Sequence, residues 1–209
     1  MKNKLFWAIL GLFVLAACSP GATNTSAGQA NNPAPTSVPP TTVPENTASS
    51  DPTPTAENVA YNGPDWTQAI LENAQTGETF TLADFAGKTV FIEAMATWCP
   101  ACRQAQDNMR AARNQIDSED VVWISLSVET FLDNGELAQY ADNAGYDWLF
   151  TVSSDALLGD LTEVFGGLVN NPPALPHFLI RPDGTVSELS GGLHSPERLI
   201  EQVNDAQRS

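Results

Sequence analysis

The chain has 209 residues, with 25 acidic against 9 basic side chains and a formal net charge of -16. That balance excludes nucleic acid as a partner, because phosphate binding needs clustered Lys and Arg, and it excludes docking on an anionic bilayer by charge alone. Three cysteines are too few for a disulfide-stapled scaffold, and 42% hydrophobic residues suit an ordinary globular core rather than a multi-span membrane protein.

Lys2 and Lys4 precede an uncharged run of 13 residues, 5–17. A spanning helix needs about 20 apolar residues, so residues 1–17 read as a signal peptide. The run ends in Leu15-Ala16-Ala17-Cys18. Small residues directly before a cysteine resemble the bacterial lipobox. That resemblance implies lipidation of Cys18 and a cell-membrane anchor facing the extracytoplasmic side; the alternative is an ordinary signal with an incidental cysteine. Beyond Cys18, residues 19–60 hold eight of the 15 prolines and eight threonines, without Lys or Arg. Such a segment cannot bury enough apolar surface to offset its ordering entropy. Residues 18–60 are therefore expected to be a disordered tether, reaching on the order of 100 Å at about 3.1 Å per residue.

Residues 61–209 are expected to form one domain. Residues 66–71 and 78–82 predict short strands around a Thr76-Gly77 turn. The nearly continuous apolar run 90–96, interrupted by Glu93, predicts a central strand covered on both faces. Ala101, Ala105, Met109, Ala112 and Ile116 recur at helical intervals. A buried strand at 121–128, a helix at 135–144, a strand at 148–153 and a helix at 155–165 ended by Gly166 and Gly167 follow. Residues 177–181 and 185–189 predict a hairpin around Pro182-Asp183-Gly184. Ser195 and Pro196 fit the N-cap and first turn of a last helix running to about residue 206. No internal repeat is present. Strands alternating with helices and closing on a hairpin predict an α/β sandwich, a central mixed sheet flanked by helices.

The chemistry is expected at Trp98-Cys99-Pro100-Ala101-Cys102, between a buried strand and a helix. A cysteine at a helix N-terminus faces unpaired backbone N–H groups and the positive end of the macrodipole. Both favour thiolate, so Cys99 is the expected exposed nucleophile. Pro100 can open the helix because its missing N–H would be unpaired there anyway. Cys102, one turn on, lies beneath Cys99 and can close or resolve a disulfide. Half a zinc site and an inert structural disulfide are the competing readings. The first lacks a second cysteine pair, and the second closes almost no loop.

Three stretches carry a resemblance to the thioredoxin superfamily, nearest its membrane-tethered TlpA/ResA-type thiol-disulfide oxidoreductases. They are Phe91-Ile92-Glu93-Ala94-Met95-Ala96-Thr97-Trp98-Cys99-Pro100-Ala101-Cys102, Leu175-Pro176-His177-Phe178-Leu179-Ile180-Arg181-Pro182-Asp183-Gly184, and Leu82-Ala83-Asp84-Phe85-Ala86-Gly87-Lys88. The resemblance spans about residues 66–206 and implies a thioredoxin-like three-layer sandwich. It implies a redox disulfide between Cys99 and Cys102, no cofactor, and a cis Pro176 lying against that disulfide. Trp98, Pro100, Leu175 and Pro176 would contact substrate, with the Leu175 backbone pairing with a bound substrate strand. Leu175 departs from the small or β-branched residue common before this proline. The partners implied are disulfide-bearing proteins, such as those of cytochrome c or copper-site maturation, and a membrane electron donor; the domain is expected to be monomeric.

Glu93, six residues before Cys99, stands where thioredoxins carry a buried acid. An acid in a covered strand should have a raised pKa and exchange protons near neutrality, unless it is a satisfied structural carboxylate. Arg103, Arg110 and Arg113 are expected to form a solvated face countering the acidic surface. His177 and His194 are expected at the surface or in loops rather than as metal ligands. Two other functions share the fold. A copper chaperone would use both thiolates and a histidine, but Sco-type proteins use CxxxC. A peroxiredoxin-like peroxidase would need PxxxTxxC, and here position 92 is Ile and position 96 is Ala.

Overall fold

The computed structural model describes residues 61–116 and 119–208. The expected signal peptide, Cys18 and the whole expected tether lie outside the described residues.

Four strands form the central sheet: β3 (Thr89–Met95), β4 (Val121–Ser127), β5 (Leu149–Val152) and β6 (His177–Ile180), in the order β5-β4-β3-β6. The first three run parallel, and β6 is antiparallel to β3 with Glu93 opposite His177. β1 (Leu71–Glu72) and β2 (Thr79–Phe80) pair separately as a small antiparallel hairpin. Its turn depends on Gly77, whose φ of 75° is a backbone conformation that few side chains tolerate.

The helices are α1 (Pro100–Arg113), α2 (Asn134–Ala144), α3 (Asp155–Phe165) and α4 (Pro196–Gln207). Each begins at a side-chain cap: Cys99 for α1, Asp133 for α2, Ser154 for α3 and Ser195 for α4. Such caps satisfy N–H groups that a helix start leaves without partners. Gly145 closes α2 in the left-handed conformation, φ 67°. The buried side chains of α1, α2 and α4 share one core with Phe91, Met95, Trp123, Phe150 and Leu179. Those of α3 share another with Val90, Ile92, Ala94, Ile124, Leu126, Phe178 and Ile180. The period-two alternation along β3 divides its side chains between these two layers. The result is the expected three-layer α/β sandwich with a mixed sheet.

Two local expectations need correction. Residues 65–68 form a 3-10 turn with only a two-residue strand after it, because Trp66 and Thr67 turn inward and Thr67 hydrogen-bonds the Pro64 carbonyl. The predicted second hairpin strand, 185–189, is reduced to isolated bridges, Ile180 with Val186 and His177 with Ser190. There the Ser187 side chain takes the Leu179 N–H, replacing a regular ladder bond.

Candidate active site

β3 delivers Thr97, Trp98 and Cys99 to the start of α1. Cys99 is the helix N-cap, and its Sγ accepts the Cys102 N–H at 3.1 Å. The sulfur thus occupies the place where the helix start concentrates positive potential. Cys99 and Cys102 are joined as a disulfide, with Cα atoms 5.3 Å apart. Pro100 is exposed at the first helical position, and Trp98 stands 61% exposed beside the pair. The loop is held from below by Glu129, just beyond β4. Its carboxylate accepts the Thr97 N–H at 2.6 Å and the Thr97 hydroxyl at 3.0 Å.

The expected exposure of Cys99 is not found: in the disulfide form Cys99 is 1% exposed and Cys102 0%. A 3-10 turn at Pro172–Ala174 packs on α1 here, with the Pro172 carbonyl oxygen 3.5 Å from Cys102 Sγ. Attack on Cys99 by a bulky partner therefore requires local movement of its surroundings.

Pro176 lies against β3, its carbonyl accepting the Ala94 N–H at 2.9 Å. Leu175 does not offer the free edge expected of it. Its N–H donates to Pro172 O at 2.8 Å, and its carbonyl faces His177 Nδ1 at 3.1 Å. Its φ of 55° and ψ of 52° are left-handed, the one positive φ outside glycine among the described residues. Residues before proline ordinarily stay extended, and a leucine in this conformation costs about 1–2 kcal/mol. The consecutive prolines 172 and 173 drive the tight turn that ends in this conformation.

Glu93 is 2% exposed in the middle of β3, on the α1 side of the sheet. Burial pushes its pKa up to about 8, with hydrogen bonds from Gln106 and Ser125 pulling the other way. Both bonds end on Oε2, from Gln106 Nε2 at 3.2 Å and Ser125 Oγ at 3.2 Å. Each donor is itself oriented: the Tyr140 hydroxyl donates to Gln106 Oε1 at 2.6 Å, and Trp148 Nε1 to Ser125 Oγ at 2.9 Å. Burial raises the Tyr140 pKa, which keeps that hydroxyl a donor. Oε1 has no partner among the described residues. With two donors on Oε2, a proton on Glu93 belongs on Oε1. Gln106 lies one turn beyond Cys102 on the same face of α1, so the residue that holds the Glu93 carboxyl shares the helix face of the resolving cysteine.

Sequence reasoning missed Gln106, Ser125, Tyr140 and Glu129. Each is a common residue type whose role depends on a contact 13 to 34 positions away. For Gln106 the helical spacing from Cys102 was the available clue. The arginine face also needs correction. Arg103, Arg110 and Arg113 lie over Tyr140, Tyr146 and Trp148, at 5.0, 5.3 and 5.2 Å from the ring centroids. They cover an aromatic layer as well as countering charge. His177 is a strand residue 4% exposed, not a surface one, while His194 is a half-buried loop residue. Among the described residues no three of His, Cys, Asp and Glu are grouped to hold a metal ion.

Residues 29–194 match the Redoxin family model. The chain is 26% identical over 144 residues to the thiol-disulfide oxidoreductase ResA of Oceanobacillus iheyensis, covering 68% of this chain and 69% of that protein. It is similar to the crystal structure of a thioredoxin-family thiol:disulfide interchange protein from Chlorobium tepidum, with a TM-score of 0.55 at 20% identity, over 72% of this chain and 99% of that one. A second similar structure is copper-bound ScoI of Arabidopsis thaliana, TM-score 0.52 at 17% identity, covering 66% of this chain and 95% of that one. These two structures speak for the fold alone. The family model, the ResA relative and the cysteine pair at the start of α1 agree: the chain belongs to the Redoxin family, as a TlpA/ResA-type oxidoreductase of the thioredoxin superfamily.

Proposed function

We propose that the protein is an extracytoplasmic thiol-disulfide oxidoreductase that reduces disulfides of partner proteins, held at the cell membrane by lipid on Cys18. The observation that carries the chemistry is the Cys99 sulfur as N-cap of α1, receiving the Cys102 N–H. In the reduced protein the Cys99 thiolate attacks a partner disulfide, and one partner sulfur leaves as thiolate. Cys102 then gives its proton to the Glu93 carboxylate. Its thiolate attacks Cys99 Sγ, forming the Cys99–Cys102 bond and releasing the second partner sulfur. The partner gains two electrons and the protein ends oxidised. A membrane electron donor must return it to the dithiol, because the proposed compartment is oxidising. Disulfides formed in apocytochrome c or in copper-site assembly proteins are the substrate classes implied by the ResA-type resemblance. The anchor is supported by the short apolar run ending in Leu15-Ala16-Ala17-Cys18.

Cys102→Ser should accumulate a partner joined to Cys99, and Cys99→Ser should accumulate little. A reduction potential well below about -200 mV supports reduction as the direction, whereas one near -120 mV makes the protein an oxidant. Fatty-acid labelling that persists in Cys18→Ser overturns the anchor.

A further inference from the structure

The chain has two histidines, and the fold brings both to the polar network under the disulfide. His177 stands opposite Glu93 in the β3–β6 ladder, so the two side chains share a face with Cβ atoms about 5 Å apart. Its Nδ1 faces the Leu175 carbonyl at 3.1 Å. A carbonyl only accepts, so Nδ1 carries the hydrogen and Nε2 is left as a lone pair. That nitrogen is buried and has no partner among the described residues, as is true of Glu93 Oε1.

Glu93, His177 and His194 line one cavity, closed by the apolar side chains of Phe91, Met109 and Leu175. Its room for water centres is about 20 Å³, enough for one molecule. His194 meets His177 edge to face at 4.7 Å between centroids. Asn108 of α1 holds its backbone, donating to His194 O at 2.8 Å, and Gln202 of α4 lies 3.2 Å from its Nδ1. An amide oxygen there fixes the hydrogen on Nδ1, leaving Nε2 of His194 free to accept.

We propose that His177 and His194 form a proton relay that carries the proton of Glu93 from the buried network to solvent. The proposal rests on the reading that Glu93 takes the proton of Cys102. After that transfer Glu93 is a neutral acid, with its proton on Oε1. Near pH 7 burial already leaves Glu93 mostly in this protonated state before reaction, so it must lose this proton before it can accept the one from Cys102, and each resolution therefore waits on the relay. The proton passes through the cavity water to His177 Nε2, giving a carboxylate beside an imidazolium. It passes next to His194, which is half-buried and returns it to bulk water. No electrons move in these steps, and one proton leaves for each disulfide closed. Burial lowers the pKa of His177, so the ring holds the proton only in passing. The groups facing it are Glu93 from β3, His194 from the loop before α4 and Gln202 from α4; α1 contributes the apolar Ala105 and Met109.

Two substitutions separate the relay from a structural role. His177→Asn keeps an N–H for the Leu175 carbonyl but loses the basic nitrogen, since an amide does not take up a proton near neutral pH. His177→Phe keeps the stack on Phe91, now 5.2 Å between centroids, but loses the carbonyl contact. The reduced full-length chain, carrying Cys18→Ser so that Cys99 and Cys102 are its only thiols, is mixed with equimolar 5,5'-dithiobis(2-nitrobenzoic acid). That probe releases one thionitrobenzoate when Cys99 attacks and a second when Cys102 resolves. Near pH 7 the second release should slow about tenfold in both variants, with the first unchanged within about twofold. Combining His177→Asn with Glu93→Gln should be no slower than Glu93→Gln alone, because both lie on one path. A second release at the wild-type rate in either folded variant overturns the relay. So does equal slowing of both releases, or a multiplicative double variant. If wild-type release is unaffected by Cys99→Ser, the thiol-disulfide reading fails first and the relay falls with it. Normal Cys99-dependent release with unchanged His177 variants sinks the relay alone.

Discussion

On the α3 side of the sheet, β3 presents Val90, Ile92 and Ala94, and β6 presents Phe178 and Ile180. On the other side the same strands present Phe91, Glu93 and Met95, and His177 and Leu179. Among the described residues, the strands of the central sheet present no titratable side chain to the α3 side. The opposite side holds the disulfide, the buried acid, a cavity and a chain of oriented hydrogen bonds. Unpaired buried polar atoms are costly; the α3 side holds one in Trp66 Nε1, which does not titrate, whereas this side holds Glu93 Oε1 and His177 Nε2, which do. The contrast locates stability and chemistry on opposite faces of one strand, a single residue apart.

The largest expected effect comes from the reactive end of the wet face. Cys99→Ser should abolish turnover of a protein disulfide while leaving the denaturant midpoint of the reduced domain close to wild type. Measured reduction above background in that variant would move the chemistry elsewhere. Phe178→Ala is the counterpart on the α3 side. The ring is fully buried, edge to face with Trp66 at 6.0 Å and beside Phe165 at 4.7 Å. Truncation should cost about 3–5 kcal/mol, by the same amount across the pH range, with little change in turnover per folded molecule. A pH-dependent loss would mean that the two faces are not separable.

Glu93→Gln sharpens the comparison through pH. The folded pKa is raised from 4.5 to about 8, so the native state holds the proton more tightly than the unfolded chain. Wild-type stability is therefore full below about 4.5, falls as pH rises towards about 8, and carries the whole penalty above it. The glutamine variant lacks this slope. It should match wild type in acid and exceed it by on the order of 2 kcal/mol near neutral pH. The same substitution should slow resolution of the mixed disulfide. Denaturant midpoints that run parallel across pH would make Glu93 a satisfied carboxylate. Equal resolution rates would remove its catalytic role.

How much of this was legible in the sequence differs by layer. The apolar run of β3, the caps of α3 and α4 and the Cys-Pro-Ala-Cys step depend on neighbours in the chain, and they were found where expected. Glu93 was legible because an acid in an apolar run has no other ready explanation. Gln106, Ser125 and Tyr140 were not, since a buried polar network is written in pairs 13 to 34 residues apart. His177 was misplaced for a related reason. It opens the predicted strand 177–181 but was expected at the surface or in a loop, and only the pairing of β6 with β3 buries it opposite Glu93. The occupied backbone of Leu175 depends on a turn three residues long, which strand periodicity cannot reveal.

The smallest effect tests where the wet face meets solvent. Arg113 lies over Trp148, whose indole N–H is the outer end of the network reaching Glu93 through Ser125. It also pairs with Asp147. The arginine side chain is 19% exposed and that of Asp147 is 79%, so water screens the ion pair more than it screens the ring contact. Arg113→Met keeps much of the stem's cover over the ring and removes the charge. It should cost about 1 kcal/mol, read from the denaturant midpoint. Asp147→Asn should cost less, about 0.5 kcal/mol or below, and that loss should fade in high salt. If Asp147→Asn costs as much as Arg113→Met, the ion pair and not the ring holds the arginine. Neither variant should move the pH at which stability falls, because the shift of Glu93 comes from burial and from its two direct donors. A changed pH midpoint in Arg113→Met would show that the network extends its influence to the arginine layer, and the wet face would then reach the surface at Trp148 as well as at His194.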